Sequence, residues 1–136
     1  MIKLFLIAGL GNPEEDYSNT RHNMGFDTIN KLAKQYKIEV NKNKFKGLYG
    51  IGNIENQKVV LLKPQTFMNL SGESIKEAID FYKIQKENII IIYDDMDVKP
   101  GTIKIRKIGG PGSHNGMKSV LQNIKDKEFT RIRVGI

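Results

Sequence analysis

Few residues in this sequence could do chemistry, because its 136 positions include two histidines and no cysteine. Without cysteine there is neither a thiolate nucleophile nor a thiolate metal site. His22 lies in the segment Thr-Arg-His-Asn-Met-Gly, and an imidazole with an ordinary pKa of about 6.5 suits a general base at neutral pH. A single loop histidine is more often structural, so a catalytic role for His22 depends on partners elsewhere in the chain.

Asp94 is the best-placed partner for His22. It follows four consecutive isoleucines and a tyrosine, the pattern of an internal strand, and ligands gather beyond the ends of such strands. An ionised carboxylate on the second imidazole nitrogen would hold the tautomer and favour the imidazolium that proton transfer creates. Two other interpretations of Asp94, Asp95 and Asp97 remain open: a solvated acidic turn, or a loop that binds a divalent metal.

Three asparagines supply further polar groups. Asn12, Asn69 and Asn115 lie in the segments GLGNP, TFMNLSG and GSHNG, each beside a glycine or at the boundary of an element. Asparagine at such positions usually forms a cap or a turn. Side-chain amides can also donate to a carbonyl or an oxyanion and accept from an amide or a hydroxyl. We therefore keep all three as candidate substrate-binding residues.

Several familiar catalytic motifs are excluded. Gly9-Leu-Gly11 follows an apolar strand, but the dinucleotide motif needs a glycine where Glu14 stands, and that carboxylate would repel a pyrophosphate. The segment at 112–119 resembles a phosphate-binding loop, but it is one residue short and Met117 separates its glycine from its lysine. The sequence also lacks G-x-S-x-G and S-x-x-K, so an activated serine is unsupported.

Strand-like and helix-like segments alternate along the chain. This alternation predicts a single α/β domain over residues 1–136, with a mixed, mainly parallel sheet and helices on both faces. Helical spacing of apolar residues is found in 29–36, 75–82 and 117–124, with Ser71 as the N-cap of the second helix. The expected strands are 1–8, 45–54, 58–62, 88–93, a half-exposed strand at 103–106, and 131–136.

Composition and charge limit the class of protein. The chain is 39% hydrophobic and 27% charged, and its apolar runs fall far short of the roughly 18 residues of a membrane helix. The net charge of +7 is concentrated in residues 99–136, where nine basic residues face Asp126 and Glu128, and lysines are also dense in 31–46. This excess, which includes Arg131 and Arg133, suggests backbone contact with nucleic acid. A lysine-rich solvated surface would give the same pattern.

Four motifs occur in an order that resembles the bacterial-type peptidyl-tRNA hydrolase family. They are GLGNPEEDYSNTRHNMGF at 9–26, KPQTFMNLSG at 63–72, YDDMDVKPG at 93–101, and GGPGSHNGMKS at 109–119, which leads to FTRIRVGI. The resemblance spans the whole chain. It implies a cytoplasmic, monomeric esterase that needs no metal or cofactor and releases peptides from prematurely dropped peptidyl-tRNA, so that the tRNA is recycled.

The resemblance also implies roles for individual residues. His22 resembles the family's catalytic base, and Asp94 resembles the acid that supports it. Asn12 matches the residue that helps to distinguish N-blocked peptidyl substrates from free aminoacyl substrates. The positions that contact substrate are matched by Tyr17, Phe67, Asn69 and Asn115.

The sequence departs from the family pattern in two places. The stretch GGPGSHNG replaces one that commonly has more glycine and a further histidine, and Pro111 stiffens a loop expected to border the substrate cleft. The family also continues past RVGI with a helical segment that helps to cover the cleft and to bind tRNA. We therefore expect residues 1–136 to be a C-terminally truncated domain.

Two rival functions are also compatible with the sequence. One is a non-catalytic RNA-binding domain that uses the same basic surface, with His22 and Asp94 in structural roles. The other is a metal-dependent hydrolase centred on Asp94, Asp95 and Asp97.

Overall fold

The computed structural model describes residues 3–13, 23–112 and 114–136. Two of the predicted site residues, Tyr17 and His22, lie outside these ranges, as do the first two residues of the predicted first strand. The elements are, in chain order, β1 (Leu4–Gly9), α1 (Met24–Tyr36), β2 (Lys42–Lys44), β3 (Gly47–Ile54), β4 (Gln57–Pro64), α2 (Ser71–Tyr82), β5 (Ile89–Asp95), β6 (Ile103–Arg106), α3 (Asn115–Asn123) and β7 (Thr130–Gly135).

The strands form one sheet in the order β2-β3-β4-β1-β5-β7-β6. Its four central strands, β4, β1, β5 and β7, are parallel neighbours, whereas the pairs β2–β3, β3–β4 and β6–β7 are antiparallel. The prediction of a mixed, mainly parallel sheet is therefore confirmed. Because the central strands share a direction, the segments that follow β1, β4 and β5 emerge at the same edge.

Helices cover both faces of the sheet, as predicted. Alternation along β1 directs Leu6 and Ala8 into the core under α2 and α3, and Ile7 into the core under α1. Ile29 of α1 is completely buried in this second core. None of the described helices has the length and apolar character needed to span a membrane.

Three local predictions are wrong, and all three concern exposed or terminal positions. Phe45 was expected in a strand, but it forms with Lys46 the tight turn between β2 and β3, both with positive φ. Ser71 is not the N-cap of α2: Leu70 occupies that position, and the Ser71 hydroxyl donates to the carbonyl of Met68 at 2.8 Å.

The third correction concerns β6, which is exposed on both faces rather than half-buried. Ile103 and Ile105 are 62% and 64% exposed because β6 is an edge strand that pairs with β7. By contrast, the turn predicted at Glu55 and Asn56 is confirmed, since both residues have positive φ between β3 and β4.

A close approach of two backbones fixes the start of α1 at the carboxyl edge of the sheet. Leu10, directly after β1, donates its backbone N–H to the carbonyl of Ile92 in β5 at 2.9 Å. Gly25 in the first turn of α1 lies against this junction: a Cβ there would overlap the backbone of Leu10 and lie 2.7 Å from the Ile92 carbonyl oxygen. Only glycine lets α1 begin this close to the sheet.

We expect Gly25→Ala to destabilise the protein. Glycine to alanine inside a helix normally gains about 1 kcal/mol, but here the added methyl overlaps backbone atoms, and overpacking of this kind costs about 1–3 kcal/mol. Urea unfolding measures the difference. The control is Gly110→Ala, where a Cβ would meet nothing within 4 Å. Equal stability of the two variants would contradict the close approach.

Candidate active site

The segments after β1 and β4 and the start of α3 converge at the carboxyl edge of the sheet. Gly116, in the first turn of α3, marks their meeting point. A Cβ on Gly116 would lie 2.7 Å from Met68 Sδ, 2.9 Å from His114 Cε1 and 3.0 Å from Leu10 Cδ1. The three motifs that contain the candidate asparagines therefore pack against one another, as the parallel sheet predicts.

Asp94 lies at this edge as a buried carboxylate. It is 5% exposed and is the sixth residue of β5. Its Oδ1 atom is buried and has no hydrogen-bond partner among the described residues. Burying a polar atom without a hydrogen-bond partner lowers the stability of the folded protein. The position of Oδ1 therefore indicates that Asp94 serves function rather than stability.

The imidazole of His114 faces that oxygen. Its Nε2 lies 3.8 Å from Asp94 Oδ1, which is too long for a hydrogen bond. Its Nδ1 accepts from the backbone N–H of Met117 at 3.2 Å and so caps α3. With Nδ1 as acceptor, a neutral imidazole carries its proton on Nε2, the atom that faces Asp94.

Sequence reasoning missed His114. The signal was present, because His114 is one of two histidines and directly precedes a candidate amide, Asn115. The structure adds an edge contact between its ring and Tyr93, with ring centroids 4.8 Å apart. Burial raises the pKa of the Tyr93 phenol, so this neighbour stays neutral at physiological pH.

A second missed residue, Asn23, ties the Asn12 loop to the start of α1. The backbone N–H of Asn12 donates to Asn23 Oδ1 at 2.7 Å, and Asn23 is 4% exposed. Asn23 is at the N-cap position of α1 but makes no side-chain cap bond there. Its side-chain oxygen accepts from the Asn12 loop instead. This bond fixes Asn23, the residue that directly follows His22 in the sequence.

The remaining predicted substrate contacts are exposed at the same edge. Phe67 is 66% exposed, and Asn69 lies in the 3-10 turn Met68–Leu70 between β4 and α2. Asn115 is exposed as the first residue of α3. An exposed aromatic ring beside exposed amides can offer apolar contact and hydrogen bonds to a ligand at once.

The residues Asp95 and Asp97 do not support a metal site. Asp95 Oδ2 accepts from Arg133 Nε at 2.8 Å, and Asp95 Oδ1 accepts from the backbone N–H of Asp97 at 2.8 Å. Both carboxylate oxygens are therefore engaged. Within residues 3–13, 23–112 and 114–136, no three histidine, aspartate or glutamate side chains are grouped so that they could hold a metal ion.

The distribution of positive charge differs from the one expected. Arg131 is buried, and Arg133 is paired with Asp95, whose hydrogen bond raises the pKa of the Arg133 guanidinium. Neither arginine is a free surface cation. The basic residues of 99–136 that remain exposed and whose side chains make neither an ion pair nor a hydrogen bond among the described residues are Lys99, Lys104, Arg106, Lys107, Lys118 and Lys125; we call these the basic surface.

Comparison with known proteins identifies the family. Residues 6–136 match the family model described as peptidyl-tRNA hydrolase. The chain belongs to the peptidyl-tRNA hydrolase family. The peptidyl-tRNA hydrolase of Clostridium novyi (strain NT) is 56% identical over 133 residues, which cover 98% of this chain and 71% of that protein. That of Clostridium beijerinckii is 52% identical and is covered to 70%.

Solved structures of the peptidyl-tRNA hydrolase family have the same fold. The crystal structure of peptidyl-tRNA hydrolase from Acinetobacter baumannii superposes with a TM-score of 0.93 at 44% sequence identity, covering 100% of this chain and 69% of that one. The resemblance in sequence and the predicted fold are both confirmed.

Proposed function

We propose that this chain hydrolyses the ester bond between peptide and tRNA in N-blocked peptidyl-tRNA and so recycles the tRNA. The family match over residues 6–136 carries the reaction class. The buried Asp94 carboxylate with its unpartnered Oδ1 supports the place of the chemistry. Because tRNA is the substrate, we also propose that the protein works in the cytoplasm. We propose a monomer as the active form, since the candidate groups lie in one chain.

In the proposed mechanism His22 takes a proton from water. His22 precedes Asn23, whose side chain is bound to the Asn12 loop, and Asp94 would accept from the second imidazole nitrogen. The hydroxide oxygen adds to the ester carbonyl carbon. The tetrahedral oxyanion then collapses, the bond to the ribose oxygen breaks, and the imidazolium returns its proton to that oxygen.

Amides at the carboxyl edge would bind the peptide and the developing oxyanion. Asn69 and Asn115 are exposed where the segment after β4 meets α3, and Asn12 lies in the segment that follows β1 at the same edge of the sheet. We propose that Asn12 recognises the blocked amino terminus. Phe67, with most of its ring exposed, and Tyr17 would contact the substrate. One amide donor to an oxyanion contributes roughly 3–4 kcal/mol to the transition state.

Cleavage of an N-acetylated aminoacyl-tRNA tests the proposal against its rivals. We expect rapid release of the N-acetyl amino acid, slow release from the same tRNA with a free amino group, and full activity with excess chelator. The RNA-binding alternative requires binding without cleavage. Inactivation by chelator, reversed by one divalent metal, would favour the metal-dependent alternative instead.

We expect tRNA binding to weaken steeply with salt. Three phosphate contacts made by the basic surface would release about three counterions, so the affinity should fall by more than about tenfold between about 50 and 200 mM salt. Equilibrium binding of deacylated tRNA measures this. As a control, the KM for a short N-blocked aminoacyl ester without a phosphate backbone should change little. An affinity for tRNA that does not change with salt would show that the basic surface does not contact the phosphates.

A further inference from the structure

Arg131 is a buried cation with no acid beside it among the described residues. It is 1% exposed, and within the described chain Asp94 is the other buried residue whose side chain carries a charge. Arg131 lies in β7, the strand next to the edge of the sheet, where it pairs with Ile91 of β5 on one side and with Arg106 of the edge strand β6 on the other. Burial lowers the pKa of its guanidinium. Keeping a charge in such a position is costly unless it is well bonded.

Two backbone carbonyls and an aromatic ring hold the guanidinium. Nη1 donates to the carbonyl of Gly109, and Nη2 donates to the carbonyl of Lys127 at 2.6 Å. The Cζ atom lies 4.5 Å from the centroid of the Phe129 ring. Gly109 and Lys127 belong to the two segments that enter and leave α3, so Arg131 joins both flanks of that helix to β7.

Among its described residues, the segment that enters α3 has few other attachments to the sheet. Gly109 and Gly112 have φ of 149° and 57°, values that glycine reaches easily and that leave the backbone free to change. All of residues 107–110 are exposed. Its far end is anchored at α3, since His114 Nδ1 accepts from the backbone N–H of Met117 at 3.2 Å. The bond from Arg131 to Gly109 is therefore the near-end anchor.

We infer that Arg131 is a positioning residue that fixes the glycine-rich segment and thereby sets the approach of His114 to Asp94. An arginine suits this role because its planar guanidinium can donate to two carbonyls at once. The ammonium group of lysine, on a flexible side chain, cannot hold the same geometry. The inference deepens the proposed function and rests on it for the claim that Asp94 and His114 border the reacting groups. The claim that Arg131 fixes the glycine-rich segment does not depend on the proposed reaction.

The test compares wild type with Arg131→Lys and Arg131→Met. For Arg131→Lys, which retains the charge, we expect kcat on N-acetylated aminoacyl-tRNA to fall by about ten- to a hundredfold, the scale expected for a small misplacement of catalytic groups. KM should stay within about twofold. Amide hydrogen exchange should accelerate in residues 109–117 and remain unchanged in β1. Arg131→Met should show the same pattern more strongly.

The control is Ile84→Ala, a core substitution outside the proposed site. Ile84 is 7% exposed in the core formed by α2, α3 and the sheet, so this variant loses stability without touching the glycine-rich segment. If its kcat falls as far as that of Arg131→Lys, or if exchange in Arg131→Lys rises uniformly, the positioning role is wrong. If wild type itself fails to cleave the substrate, the proposed function fails, and local exchange at 109–117 alone decides the role of Arg131.

Discussion

Replacing His22 with alanine is expected to lower kcat on N-acetylated aminoacyl-tRNA by about 10² to 10⁴-fold, the usual contribution of a general base. Without the imidazole, water must lose its proton unaided, whereas the basic surface and the exposed amides are untouched. Binding of deacylated tRNA should therefore stay within about twofold of wild type. Single-turnover hydrolysis separates the chemical step from binding and is the decisive measurement.

The matched control for His22→Ala is His114→Asn, because the chain has two histidines and either imidazole could in principle act as base. Asparagine is a good N-cap, so His114→Asn keeps an acceptor for the N–H of Met117. We expect a loss of activity at least tenfold smaller than that of His22→Ala. The opposite order would move the base to His114, whose Nε2 already faces Asp94.

Buffer rescue sharpens the same experiment. If His22 acts as a base, added imidazole should restore part of the activity of His22→Ala, with a rate that rises as the neutral fraction of the buffer rises. The same buffer should not accelerate wild type. Lack of any rescue together with weakened tRNA binding would show that His22 has a structural role.

The position of Asp94 could be predicted from sequence because it depends on a local pattern. An apolar run too short for a helix, followed directly by acidic residues, indicates an internal strand and its end. The parallel order then places the end of β5 beside the segments after β1 and β4. The periodicity of the helices was equally readable, since each must bury one face.

Edge strands could not be read in the same way. β2 consists of the residues Lys-Asn-Lys and is exposed throughout, so it carries no alternation of apolar and polar residues. β6 has alternation but no cover on either face, which the pattern cannot reveal. Both strands form because a neighbouring strand offers backbone hydrogen bonds. The segment's own sequence does not show that such a neighbour exists.

The roles of Arg131 and His114 were hidden for a related reason. In sequence Arg131 belongs to an alternating basic strand, and such a residue is normally a solvated cation. Its burial depends on the carbonyls of Gly109 and Lys127, and backbone carbonyls carry no sequence signature. The approach of His114 to Asp94 likewise depends on where α3 packs, which is fixed by tertiary contacts.

Replacing Asp94 with asparagine is expected to separate activity from stability. The substitution keeps the size of the side chain but removes the charge that would orient the base and stabilise its protonated form, so kcat should fall by about 10² to 10⁴-fold. The free energy of unfolding should stay the same or rise, because burying a charged carboxylate costs more than burying a neutral amide of the same size, and the amide oxygen can still accept a hydrogen bond. Urea unfolding and single-turnover hydrolysis measure the two quantities.

Asp95→Asn provides the contrast within the same acidic turn. Asp95 is bonded to Arg133 and to the N–H of Asp97, so removing its charge should lower the free energy of unfolding by about 1.5–3 kcal/mol, the contribution of a hydrogen bond to a charged group. The free energy of unfolding would then fall for Asp95→Asn but not for Asp94→Asn. A side chain that lowers the stability of the folded protein but is required for turnover has a catalytic rather than a structural role. If Asp94→Asn instead loses stability and keeps its activity, Asp94 is a structural residue and the site must be sought elsewhere.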